Sequence, residues 1–379
     1  MGETAALRVL QLGMTGTRER GGGLDVYFFN LLRALPPQGV RVRALVVGDT
    51  AGRDGAAALE SFAPDDVGLL RRWSALRRSV ARSLSESDVV VSHFAPYAFP
   101  VLDALRSRPH VVHFHGSWSL ESASEGASAP VVAAKQLLER IVYARGARFI
   151  VLSRAYAQLL AERYHVDPAV ISVVPGGVDV DWFHDERPRA EVRRSLGMAD
   201  DRPTIVTVRR LVRAKGIENL IDAVEALRRV IPDVQLVIAG TGPLEAAFRS
   251  QVRARGLERW VHLAGYVEPG LLPALYRAAD VAVVPTTSLE GFGLVALEAL
   301  ACGTPTLVTP VSGLPDTVSM LDPALVLDGC DARSLARGLA DALSGRIPLP
   351  SEDACIRYAR GFAWPAIAQR VADVYRAAA

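Results

Sequence analysis

Val281-Ala282-Val283-Val284-Pro285-Thr286-Thr287-Ser288-Leu289-Glu290-Gly291-Phe292-Gly293-Leu294-Val295-Ala296-Leu297-Glu298-Ala299-Leu300-Ala301 reads as one strand, one loop and one helix. Residues 281–285 are a short unbroken apolar run, as a parallel strand buried on both faces requires. A polar loop with two glycines follows. Residues 294–301 then read as a helix that is apolar on nearly every side, which marks a buried one. The same unit recurs outward from this stretch. On its side of the chain, strands are expected at 204–209, 234–240, 261–265, 306–309 and 325–328, with helices at 217–230, 244–255 and 271–278. Toward the N-terminus, strands are expected at 7–13, 42–48, 88–93, 110–115 and 148–153, with helices at 24–35 and 131–145. Repeated strand–helix units imply right-handed crossovers and a doubly wound parallel sheet. Two such sets predict an α/β protein of two Rossmann-like domains, 1–178 and 179–361, broken at the turn-rich Pro175-Gly176-Gly177-Val178-Asp179. Open sheets of this kind bind ligands beyond the carboxyl ends of their strands. Two facing sheets would enclose a cleft, so the loops after strands are the place to look for chemistry.

The chain has 379 residues, 50% hydrophobic and 22% charged, ordinary for a soluble globular protein of two to three domains at roughly 150 residues each. Mean hydropathy is +0.19, but no apolar run approaches the ~18 residues of a membrane span. Residues 1–13 lack the basic start and apolar core of a signal peptide. Cys302, Cys330 and Cys355 are too few and scattered for a disulfide framework or a zinc site, so a reducing, cytoplasmic home is expected. The net charge of +2 gives no basic face for nucleic acid. Among 43 cationic residues only Lys135 and Lys215 are lysines, so a compact ammonium kept at 215 stands out.

Four loops carry candidate chemistry. Gly21-Gly22-Gly23 precedes a helix and could offer bare N–H groups to a phosphate, or be a flexible surface loop. His110-Val111-Val112-His113-Phe114-His115 puts His113 and His115 on one strand face. No third ligand at metal spacing accompanies them. His113 reads as a core histidine, and His115 lies where an active-site group would sit. In Arg209-Arg210-Leu211-Val212-Arg213-Ala214-Lys215-Gly216, Arg210 and Lys215 could converge on a diphosphate, or form a solvated basic loop. Gly240-Thr241-Gly242-Pro243 lacks the third glycine of a dinucleotide fingerprint and reads as a tight turn. The opening stretch adds Glu290 on a loop and Glu298 on a buried helix, where a carboxylate needs a partner such as a pair of sugar hydroxyls. Asp179-Val180-Asp181 reads as turn chemistry, so no metal requirement is expected.

Taken together, these motifs resemble the retaining glycosyltransferases of family four, with the GT-B fold. The resemblance rests on Gly22-Gly23, His115-Gly116, the 175–179 hinge, Arg210-Leu211 with Lys215-Gly216, Gly240-Thr241-Gly242-Pro243, and the Glu-x7-Glu run from Glu290 to Glu298 followed by Ala301-Cys302-Gly303-Thr304-Pro305. It implies a metal-independent hexosyltransferase acting on a nucleotide-diphosphate sugar, UDP- or GDP-linked, and a hydroxyl acceptor such as a glycan, glycolipid or metabolite. Polysaccharide biosynthesis is one pathway that uses this architecture. The implied roles are specific. Arg210 and Lys215 would neutralise the diphosphate leaving group, and Gly22 and Gly23 would reach the same phosphates. Glu298 would accept from ribose hydroxyls. Glu290, with the backbone of Gly291, Phe292, Gly293 and Leu294, would orient the donor sugar, and His115 would contact it near the reacting centre. A final helix, about 362–379, would cross back to the first domain.

Three positions depart from the family pattern. Arg209 stands where glycine is usual, Gly176 where asparagine is common, and Asp316 where glutamate is usual. The first puts the geometry of the phosphate loop in question. The alternative reading is a catalytically inactive nucleotide-sugar-binding protein of the same fold. The segment 118–126 is a candidate acceptor loop or a solvated one. Finally, 69–84 has an apolar stripe (Leu69, Trp73, Leu76, Val80, Leu84) with arginines largely off it. Such a helix either docks on a sheet or makes peripheral contact with an anionic membrane.

Overall fold

The computed structural model describes residues 6–15, 22–50 and 58–379. The chain divides into two compact units, Met1–Gly177 with Trp364–Ala379, and Val178–Ala363.

In the first unit, seven strands form one sheet: β1 Leu7–Thr15, β2 Val40–Val47, β3 Ala58–Ala63, β4 Val89–Ser92, β5 His110–Phe114, β6 Arg148–Val151 and β7 Ile171–Val173. Their order is β3-β2-β1-β4-β5-β6-β7, and every pairing is parallel. Strands β4 and β5 are buried along their whole length, which is why they read as unbroken apolar runs. The last helix, Trp364–Ala378, belongs to this unit and buries Trp364, Ile367, Val371 and Tyr375.

The second unit has five parallel strands: β8 Thr204–Val208, β9 Gln235–Ala239, β10 Val261–Gly265, β11 Val281–Val284 and β12 Thr306–Val308. Their order is β10-β9-β8-β11-β12. The helix Ile217–Leu227 shows how the layers join. It buries Ile217, Leu220, Ile221, Val224 and Leu227, a single stripe at helical spacing. Each sheet winds outward in both directions from its first strand. The order therefore reverses between β1 and β4, and again between β8 and β11, and loops leaving such a point diverge and open a ligand crevice.

One expectation changes, two edge strands are added, and the 69–84 helix takes one of its two readings. Residues 325–328 are not a strand: Pro323–Leu325 is a short 3-10 turn, and only an isolated bridge joins Val308 to Val326. Pro323 lacks the N–H a ladder needs and fixes a turn-like φ. Strands β3 and β7 were not foreseen. Both lie at sheet edges and are partly exposed, so neither carries the apolar run of a central strand. The 69–84 segment forms a helix, Leu69–Ser83, whose stripe turns inward: Leu76 and Val80 are fully buried. Its arginines are largely engaged, Arg77 with Asp103 and Arg82 with Glu60. Among the described residues no helix is long and apolar enough to cross a membrane.

Candidate functional site

In the second unit the chain leaves β8 at Arg209 and is bracketed from below. The Arg209 N–H donates to the Ala239 carbonyl at 2.9 Å, and the Leu211 N–H to the Thr241 carbonyl at 2.9 Å. Gly240, at φ +129°, sits so close that a Cβ there would lie 1.9 Å from the Arg209 carbonyl oxygen. Gly240-Thr241-Gly242-Pro243 is thus a cradle for the Arg209 loop, which explains its glycines without a dinucleotide. The loop closes at Gly216, φ +69°, where a Cβ would fall 1.8 Å from the Pro285 carbonyl oxygen. Only glycine lets this loop lie against the one that follows β11. A bond from the Thr287 N–H to the Ala214 carbonyl, 3.0 Å, locks the two together.

That docking delivers Lys215 to Glu290. The Lys215 ammonium donates to Glu290 Oε2 at 2.7 Å, and Arg209 donates to the same oxygen. Arg209 also donates to Thr286 Oγ1 at 2.8 Å. The side chains of Arg209, Glu290 and Lys215 are 5%, 16% and 23% exposed. Two cations therefore share one carboxylate, at the point where the strand order reverses. Burial alone would push the Glu290 carboxyl up, but the charges of Arg209 and Lys215 overcome it and hold it at about 2. Arg209 thus anchors Glu290. Arg210 is exposed and makes no side-chain hydrogen bond or ion pair among the described residues. The structure brings Lys215 and Glu290 together but gives Arg210 no bond to either.

Glu298 lies on the helix Leu294–Ala301, and the Tyr276 hydroxyl donates to its Oε2 at 3.0 Å. Burial pushes this carboxyl up to about 7, against the Tyr276 hydrogen bond and the charge of Arg209. The two glutamates of the run are thus driven apart, one firmly ionised and one poised near neutrality, by environment alone. Between them, Gly293 takes φ +85° to start the helix, while Gly291 is partly exposed and Leu294 opens the first turn. Phe292 is buried, and its carbonyl accepts from the Thr317 hydroxyl. The loop is further fixed by the Gly313 N–H donating to the Glu290 carbonyl at 2.9 Å.

In the first unit, His115 follows β5 and is partly exposed. A third histidine, His93, stands beside it, with His115 Nε2 3.0 Å from His93 Nδ1. His93 Nε2 lies 2.7 Å from Gln11 Oε1, and the Gln11 amide nitrogen donates to the Tyr375 hydroxyl at 3.1 Å. Tyr375 also lies 2.8 Å from His113 Nε2, and Tyr27 3.2 Å from His113 Nδ1. Burial holds all three imidazoles neutral, taking His115 down to about 3. Ligand atoms of the three lie within 4.8 Å of one another. Their rings lie within 16° to 28° of parallel. Both nitrogens of His93 and of His113 are already engaged.

Gly22 caps the helix Gly23–Ala34, and its N–H donates to the Asp25 carboxylate at 3.1 Å. That donor is therefore occupied by an acid of its own helix, while Gly23 borders open space. Residues 16–21 of this loop, Gly21 included, lie outside the described residues. Asp179 accepts from the Trp182 N–H at 3.0 Å, a turn contact. The segment 118–126 is tied down from below: buried Glu139 accepts from the Trp118 N–H at 2.6 Å and from the Tyr164 hydroxyl at 2.8 Å.

Sequence reasoning missed Tyr276, Thr286, His93 and Gln11. One signal was available for His93. The expected strands 88–93 and 110–115 each end in histidine, and neighbouring parallel strands of similar length bring their ends side by side.

Comparison with known proteins gives the same architecture. The family model "Glycosyltransferase Family 4" matches residues 21–182, and "Glycosyl transferases group 1" matches residues 188–362. A D-inositol 3-phosphate glycosyltransferase of Actinosynnema mirum is 31% identical, over 95% of this chain and 89% of its own. A GDP-mannose-dependent alpha-(1-6)-phosphatidylinositol monomannoside mannosyltransferase of Mycobacterium tuberculosis is 33% identical over 55% of this chain and 56% of its own. Among solved structures, Anabaena Alr3699/HepE in complex with UDP superimposes with a TM-score of 0.79 at 20% identity, covering 98% of this chain and 100% of that one. Two parallel α/β sheets, a family match across both units and a near full-length relative lead to one assignment: the chain belongs to the family 4 glycosyltransferases of the GT-B fold and is a glycosyl-transferring enzyme.

Proposed function

We propose that the enzyme moves a sugar from a nucleotide-diphosphate sugar to a hydroxyl acceptor, with retention of anomeric configuration and without a metal ion. The observation that carries this reading is the sharing of Glu290 by Arg209 and Lys215. Arg209 and Lys215 gather two fixed cationic groups in a poorly hydrated site, suited to a diphosphate leaving group. Fixed cations there do the work that a divalent ion does in other transferases. Glu298, with the Tyr276 hydroxyl, is the candidate ribose holder, and His115 the candidate contact to the donor sugar. Exposed Arg210 is the candidate further contact to the diphosphate. UDP- and GDP-sugars are the donors to test, GDP-mannose being the donor in one relative's name, and the relatives' names favour as acceptor a cyclitol hydroxyl such as that of D-inositol 3-phosphate. Three unpaired cysteines suit a cytoplasmic enzyme. A membrane contact would rest on exposed Leu69 and Leu70 at the first turn of their helix rather than on the whole stripe.

The test is turnover. Wild type should transfer sugar in the presence of chelator, and Lys215→Ala should lose most of that turnover. Nucleotide-sugar binding without turnover toward any acceptor would instead favour the inactive binding protein.

A further inference from the structure

The hydrogen bonds that surround His115 leave it little freedom. Gln11, fully buried on β1, turns its amide nitrogen to Tyr375 and its Oε1 to His93. An amide oxygen only accepts, so His93 must carry its proton on Nε2. A neutral His93 then has a bare Nδ1. The proton in the 3.0 Å contact between the two rings therefore belongs to His115 Nε2. A neutral His115 protonated there has a bare Nδ1, and that atom has no partner among the described residues.

The alignment continues from Gln11 to the C-terminal helix. Tyr375 is fully buried, accepts from the amide, and has His113 Nε2 as the place for its own proton. His113 then keeps its proton on Nδ1, facing the Tyr27 oxygen. One amide thus sets the direction of bonds joining β1, the ends of β4 and β5, the helix Gly23–Ala34 and the C-terminal helix. Loss of any member would leave a buried polar atom unpaired, which is why such chains hold one arrangement.

We infer that His93 is a positioning residue, aligned by Gln11, that fixes His115 as the Nε2–H tautomer and leaves His115 Nδ1 as a hydrogen-bond acceptor toward a hydroxyl of the bound substrate. This rests on the reading of His115 as a substrate contact. It goes further by giving that contact a sense: His115 receives a hydroxyl proton in a hydrogen bond and does not donate one. The hydrogen bond made by one ring nitrogen of a histidine sets whether the other is a donor or an acceptor.

Nitrogen NMR of the histidine rings reads this directly in the whole protein. In wild type, His115 should show a protonated Nε2 and an unprotonated Nδ1, unchanged across the neutral pH range. In His93→Phe, which keeps a flat ring in the stack but offers no acceptor, the two His115 signals should move toward the average of exchanging tautomers. Donor turnover should then fall several-fold in kcat with little change in KM. A wild-type His115 protonated on Nδ1 overturns the inference, even if the variant fails to fold. So does a His93→Phe spectrum with the His115 pattern intact. Titration with UDP-sugar separates the inference from the reading beneath it. A correct tautomer whose Nδ1 signal ignores a bound sugar nucleotide supports the positioning by His93 and overturns the substrate contact.

Discussion

Replacing Glu290 by glutamine should weaken the empty enzyme and strengthen its grip on a diphosphate. The carboxylate is shared by a guanidinium 5% exposed and an ammonium 23% exposed. Removing one partner of a buried ion pair costs about 3–5 kcal/mol, because the surviving charge stays desolvated. Here the glutamine retains one accepting oxygen and Lys215 can turn partly to water, so about 2–4 kcal/mol is the better expectation. For a unit of this size that corresponds to a Tm lower by roughly 5–15 °C. A nucleoside diphosphate would restore the missing negative charge beside both cations. The Tm rise on adding UDP or GDP should therefore be larger in Glu290→Gln than in wild type, while sugar transfer falls. The assay is a thermal melt with and without nucleotide, paired with turnover. An unchanged Tm of the empty variant would refute the energetic argument. A nucleotide response smaller than wild type's would refute the idea that Glu290 and the diphosphate draw on the same cations.

Other perturbations follow from the same geometry. Glu298 is raised to about 7 from its ordinary 4.5, so the folded state holds its proton more tightly than the unfolded one. Its stability penalty is absent below the ordinary value and grows as pH rises to about 7. Glu298→Gln should accordingly be more stable than wild type above neutral pH, by roughly 1–3 kcal/mol and so with a higher Tm, and match it near pH 4.5; equal melting at both would refute this. Gly216→Ala must both adopt a left-handed backbone and push the Pro285 carbonyl away, so it should lose about 2 kcal/mol or more of stability and weaken nucleotide binding. A melt and a nucleotide titration measure both effects. Vesicle co-sedimentation with anionic lipid at low salt should show at most weak binding, reduced further in Leu69→Ser with Leu70→Ser. Strong binding that survives that double change would place the lipid contact elsewhere.

The central strands were legible because a parallel sheet covered on both faces demands unbroken apolar runs. β3 and β7 were not, because an edge strand half in water has no such pattern. The glutamate run, Lys215-Gly216 and His115 were legible as motifs, since their residue types sit on loops after strands. What they touch was not. Lys215 and Glu290 are 75 residues apart, and their pairing exists only because β8 and β11 are neighbours and Gly216 allows two loops to touch. Arg209 was visible as a departure from the family pattern, but its role depends on Gly240 drawing the loop under Thr286. His93 became a partner of His115 only through the pairing of β4 with β5. Spacing shows which residues can do chemistry, and the strand order decides which of them meet.

The most direct test of the central claim is a thermal-shift comparison of wild type and Lys215→Ala against UDP, GDP, ADP and TDP and their sugar conjugates, with chelator present. A clear shift for one nucleotide in wild type, largely lost in Lys215→Ala, is the predicted result. No shift for any nucleotide at millimolar concentration, or a shift that the variant keeps in full, would contradict the assignment of a diphosphate to the Arg209–Glu290–Lys215 cluster.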